Sequence, residues 1–183
     1  MEEKWIKEIS RLVAYANQLN IKLDIKENFS TRFRLQKLAF FIRLLYNEGV
    51  DDFGLYRHGP YSADEATLYY EYADHEFTLQ QYKIKEEYVE KLRGIFLDKT
   101  ESVIEGAATT LFLIKVGDSD WKHIYIKLKN AKPNLSISEL VDSVNPAKMF
   151  LLTKERREEI LKEAEKESKA WAEASLEDTA ENA

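Results

Sequence analysis

The chain has 183 residues, 44% of them hydrophobic and 33% charged, with a formal net charge of −6; this suits one apolar core and excludes collagen-like, linker-rich and globally disordered classes. The absence of cysteine removes disulfide scaffolds, thiolate-bound metals and cysteine nucleophiles, and makes a cytoplasmic address the expectation. Met1-Glu2-Glu3-Lys4 is no secretory leader, no run approaches the ~20 apolar residues of a membrane span, and the acidic balance works against generic nucleic-acid affinity.

Helical periodicity dominates from the start. Trp5, Ile6, Ile9, Leu12, Val13, Ala16 and Leu19 step by three and four residues and predict a helix over about 4–19. After the alternating Ile21-Lys22-Leu23-Asp24-Ile25, Ser30 or Thr31 is the expected cap of a second helix reaching about Tyr46, with Gly49 beyond its end. Phe33, Leu35, Leu38, Ala39, Phe40, Phe41, Ile42, Leu44 and Leu45 cover most of its circumference, which predicts a helix buried on several sides at the centre of the core.

The stretch from Asp52 to Ser62 has no helical period and holds Gly54, Gly59 and Pro60, so it reads as an extended piece and a tight turn. Ser62 and Glu65 have capping-box spacing and open a third helix over about 63–73. Alternation over about 77–84 predicts a short strand, paired with residues 53–57. Further helices are expected over about 85–97 and 100–116, from Trp121 to near Lys132-Pro133, and after the Ser136/Glu139 capping box. The fold class is therefore mainly α, seven or eight helices around a buried one at about 31–46. Residues 1–150 form a single domain, 151–174 a charged C-terminal helix, and 175–183 a disordered tail.

No constellation for catalysis, metal or cofactor stands out. His58, His75 and His123 lack metal-ligand spacing, and the Ser62 near His58 is already explained as a cap. Asp51-Asp52 and Asp118/Asp120 read as turn acids, and no phosphate-binding glycine loop occurs. Two features remain. Lys22, Lys26, Arg32, Arg34, Lys37 and Arg43 outnumber Asp24 and Glu27, giving residues 22–43 a local excess of positive charge that can hold phosphates. Tyr56, Tyr61, Tyr69, Tyr70 and Tyr72 surround the Gly59-Pro60 turn, as rigid amphipathic rings do at protein interfaces, or else lock that turn by packing.

Arg34-Leu35-Gln36-Lys37-Leu38-Ala39-Phe40-Phe41, followed about twenty residues later by Tyr56-Arg57-His58-Gly59-Pro60-Tyr61-Ser62, resembles the Panacea (SocA-like) and YwgA-like group of small helical proteins over about residues 30–150. The resemblance implies a mostly helical domain acting as an antitoxin or proteolysis adaptor in the Panacea branch, the YwgA-like branch being largely without assigned activity, and it brings no catalytic residues. Ala39-Phe40-Phe41 stands where a tyrosine usually follows the Lys-Leu pair of the Panacea pattern.

The physical counterpart of the motif is that Gln36 and Lys37 interrupt an apolar helix and, if buried, need partners; carbonyls at the Gly59-Pro60 turn are the expected ones. If Lys37 pins that turn, Lys37→Met is expected to destabilise the chain. The functional expectation is a non-enzymatic module binding a protein partner through the tyrosine surface, without membrane or cofactor. Its alternative is a nucleic-acid-binding regulator using Lys22, Lys26, Arg32, Arg34 and Arg43. The charged C-terminal helix is open to solvent or to a second copy.

Overall fold

The computed structural model describes residues 2–75, 78–118 and 120–181. These contain eight helices and one small antiparallel sheet in the order α1 (Glu2–Gln18), α2 (Phe29–Leu45), β1 (Gly54–Tyr56), β2 (Gly59–Tyr61), α3 (Ala63–Asp74), α4 (Glu86–Phe96), α5 (Glu101–Lys115), α6 (Trp121–Ala131), α7 (Ile137–Leu151) and α8 (Lys154–Glu181). The chain divides into two units, Met1–Phe150 and Leu151–Ala183. Among the described residues the second unit holds Leu151, residues 152–153 and α8, so the helix expected over 151–174 starts at Lys154 and continues through Glu181, into the stretch expected to be disordered.

Within the first unit α2 occupies the middle, packed against α1, α3, α4, α5 and β2. Every residue from Leu35 to Ile42 is buried, as its all-round apolar sequence requires. Phe40 lies 5.3 Å from Phe53, and Phe41 lies 5.7 Å from Phe96 and 5.3 Å from Phe150. These edge-on and tilted rings fill the layers between α2 and its neighbours, each pair adding about 1 kcal/mol beyond the area it buries.

The ends of α2 differ in detail from expectation. Its N-cap is Asn28, whose side chain accepts from Ser30 N at 2.8 Å and from Thr31 N. Ser30 and Thr31 are inside the helix, and their hydroxyls donate instead to Glu101 and Asp24. At the C-terminus Asn47, at φ 52°, takes the left-handed position, and Glu48 N closes back on Arg43 O at 2.9 Å. Asparagine tolerates that conformation, so Gly49 is not needed for it.

The sheet is also paired differently. Gly54 faces Tyr61, Leu55 faces Pro60 and Tyr56 faces Gly59, making a hairpin closed by Arg57-His58. Residues 78–84 form no strand, and Phe77 lies outside the described residues. Pro60 offers no N–H, which confines it to an edge position, and a two-stranded sheet consists only of edges.

Helices α5 and α7 meet over Gly106. A Cβ built there would lie 2.2 Å from Ser143 Oγ and 2.6 Å from Ser143 Cβ, so the absent side chain sets their spacing. Gly106→Ala is expected to lower stability by about 1–3 kcal/mol through overpacking. Adding Ser143→Gly should restore part of that loss, a coupling measured by a double-mutant denaturation cycle.

Candidate functional site

Gln36 and Lys37 sit on consecutive positions of α2 and are 3% and 2% exposed. A buried amide and a buried amine each require acceptors, and both find them on the hairpin. Lys37 Nζ donates to Pro60 O at 2.7 Å. Gln36 Nε2 donates to Ser62 O at 2.8 Å, while Gln36 Oε1 accepts from Ser62 N at 3.2 Å, a two-point grip on the residue that starts α3. Gln36 Nε2 also reaches Tyr69 Oη at 3.4 Å.

A second clamp comes from the opposite side and was not legible beforehand. Lys132, at the end of α6, is buried and donates to Arg57 O. Its Nζ also lies 2.6 Å from Glu105 Oε1 of α5, and Glu105 Oε2 lies 3.3 Å from His58 Nδ1. Gly59 packs directly on α5, since a Cβ there would stand 3.1 Å from Thr109 Oγ1, and its φ of +83° is a left-handed value that suits glycine. The carbonyls of Arg57 and Pro60 are thus held by lysines from two helices.

Ser62 and Glu65 depart from a reciprocal capping box. Ser62 Oγ accepts from Glu65 N at 3.2 Å as expected, but the Glu65 carboxylate turns to Arg43, with Nε at 2.7 Å. Ser62 N is already committed to Gln36, so the carboxylate is released for this ion pair. Ser62 Oγ in turn donates to Asp52 Oδ2 at 2.6 Å. Burial raises the Glu65 carboxyl above its ordinary range, with Arg43 opposing.

The electrostatics follow from this enclosure. Burial is the largest influence on Lys37 and lowers its amine from 10.5 to about 7; Glu105 opposes the shift and Lys132 adds to it. Burial likewise pushes the Tyr69 phenol up to about 12, and its bond from Gln36 acts the other way. Tyr69 therefore belongs to the floor, being only 2% exposed, and not to the outer tyrosine surface where the sequence placed it.

Between α2, the hairpin and α3 lies a cleft of about 350 Å³, floored by Phe33, Gln36, Lys37 and Tyr69. Its rim carries Phe29, Tyr56, Tyr61 and Tyr70, with Phe29 at 53% and Tyr56 at 63% exposure. Tyr56 and Tyr61 stack edge to face at 5.4 Å, and Phe29 packs on His58 at 5.5 Å. Arg32, Arg57, His58 and Gly59 complete the lining.

The basic residues of 22–43 do not form one patch. Arg43 is bound by Glu65 and Asp52, and Lys26 lies 2.6 Å from Asp74. Arg34 reaches Lys99 O at 3.5 Å. Arg32 turns to the carbonyls of Ile25 and Lys26, and Lys22 is exposed. Among the described residues no group of three His, Cys, Asp or Glu side chains is placed to hold a metal, and no helix is long and apolar enough to cross a membrane. Comparison with protein-family models, with curated proteins and with solved structures finds no significant match.

Proposed function

We propose that the protein is a non-catalytic interaction module that binds a partner protein through the aromatic rim of this cleft. The observation that carries the reading is the pairing of a rigidly anchored hairpin with exposed rings: Tyr56, Tyr61, Tyr70 and Phe29 stand around one opening. Exposed aromatic clusters on fixed backbone are the usual anchors of protein interfaces. An antitoxin-like or adaptor-like role is the form implied by the Panacea and YwgA-like resemblance.

Ser62, the serine nearest in sequence to His58, is fully buried and occupied as a helix cap and as a donor to Asp52, which supports a binding role over nucleophilic chemistry. The nucleic-acid alternative draws less support, because carboxylates already neutralise Arg43 and Lys26 and break any continuous track for phosphates.

The test is affinity purification of the full chain from its native host beside the Tyr56→Ala/Tyr70→Ala variant. Loss of two interface rings is expected to remove a specific partner, each truncation costing about 2 kcal/mol or roughly thirtyfold in affinity. Equal recovery of the same proteins by both chains, or recovery by neither, would overturn the reading.

A further inference from the structure

We propose that the cleft receives an acidic segment of the partner, one aromatic side chain of which enters between the rim rings. This rests on the interaction reading above and adds the chemistry of what is bound. The charge at the opening is one-sided. The permanently charged Arg32 and Arg57 line the cleft, and no aspartate or glutamate does, in a chain whose 33 acidic residues outnumber its 27 basic ones.

Both guanidinium groups keep their charge uncompensated. Among the described residues Arg32 and Arg57 have no carboxylate ion-pair partner, whereas Arg11, Arg43, Lys26 and Lys132 each have one. The carbonyls of Ile25 and Lys26 bind Arg32 Nη1 at 2.7 and 3.1 Å. They orient the guanidinium without cancelling its charge, and a planar fork set in place is suited to a carboxylate.

The space selects the size. A cleft of about 350 Å³ is near the lower end of the ~300–1,000 Å³ range of ligand sites, room for one large side chain rather than a folded surface. Phe29, Tyr56 and Tyr70 give that side chain ring faces, and the guanidinium groups meet the acids beside it. A single-stranded nucleic acid also combines rings with negative charge, but of the basic residues of 22–43 outside the cleft Lys26 and Arg43 are paired with Asp74, Glu65 and Asp52, and Arg34 turns to the Lys99 carbonyl, which leaves no row of free cations to follow its backbone. A peptide needs charge only at the opening.

The experiment is calorimetric titration of the full chain with four probes: acetyl-Glu-Asp-Phe-Glu-Asp-amide, its Phe-to-Ala analogue, acetyl-Lys-Lys-Phe-Lys-Lys-amide and an oligo-deoxythymidine. The acidic aromatic peptide is expected to bind about tenfold or more tightly than each other probe, with affinity falling as salt rises. Arg57→Glu, an exposed side chain, is expected to weaken that binding about tenfold while leaving the thermal midpoint unchanged. Indifference to peptide charge, tighter binding of the oligonucleotide, or no heat at millimolar peptide would overturn the inference. A native partner lost from Tyr56→Ala/Tyr70→Ala but retained by Arg57→Glu would refute the acidic segment alone and leave the aromatic docking face standing.

Discussion

Lys37→Met is expected to gain stability on the native chain as pH falls from 9.5 to 7, by about 3 kcal/mol, with no further gain below pH 7. The amine titrates near 7 in the folded chain against 10.5 for a free lysine. Between those values the unfolded chain holds a proton that the folded chain does not, so this group makes native stability rise with pH. Below about 7 the folded chain carries the buried charge at its full cost, on the order of 5 kcal/mol relative to a neutral amine. Methionine fits the same tube of space but leaves Pro60 O without its donor, at a cost of about 1–3 kcal/mol.

The two terms reverse their order across the pH range. In alkaline solution the lost hydrogen bond decides and the variant gains nothing; at neutral pH the removed ionisation cost decides and the variant is the more stable chain. The expectation that unpinning the turn simply destabilises therefore holds only where the lysine is neutral in both states. Urea midpoints of both chains at several pH values provide the check. Parallel curves would show that Lys37 titrates as an ordinary solvated lysine.

Gln36→Leu is expected to lower stability by about 2–4 kcal/mol without pH dependence between 6 and 9. Leucine fills similar volume, so the loss is not a cavity effect. It leaves both Ser62 N–H and Ser62 C=O without the partner that Gln36 supplies, in a residue with no exposed surface. Ser62 C=O keeps its bond from Ala66 N at 3.1 Å, so one buried orphan, the Ser62 N–H, at about 1–3 kcal/mol and one lost hydrogen bond at about 1 kcal/mol give the magnitude. The same change frees the start of α3, so partner recovery should fall with it. A loss under about 1 kcal/mol in urea would mean that water replaces the amide at no great cost.

The helical frame was legible because its signals are local. The all-round apolar face of α2, the Ser136/Glu139 box and the Lys132-Pro133 stop lie within a few residues of what they determine. Ser136 Oγ accepts from Glu139 N at 3.2 Å, and Glu139 Oε2 accepts from Ser136 N at 2.9 Å, as the box requires. The Ser62 box was only half legible, since a distant arginine competed for Glu65.

The hairpin was misassigned because Arg57-His58 carries none of the Asn-Gly or Asp-Gly chemistry that announces a two-residue turn. Its stability comes from Lys37 and Lys132, 23 and 75 residues from the atoms they bind. Gln36 and Lys37 betrayed themselves by interrupting an apolar helix. Lys132 and Glu105 gave no such signal, because a charged residue near a helix end or on a helix face ordinarily reads as solvated. Tyr69 was grouped with its neighbours in sequence, while the helical turn carries it inward and Tyr70 outward.

The double lysine clamp has a kinetic corollary. Under the proposed interaction role the rings beside the turn meet a partner on backbone whose freedom was surrendered during folding, so little disorder is left to freeze at the moment of encounter. That role then predicts recognition closer to lock-and-key than to coupled folding, and changes at the rim should alter how long the complex lives more than how fast it forms.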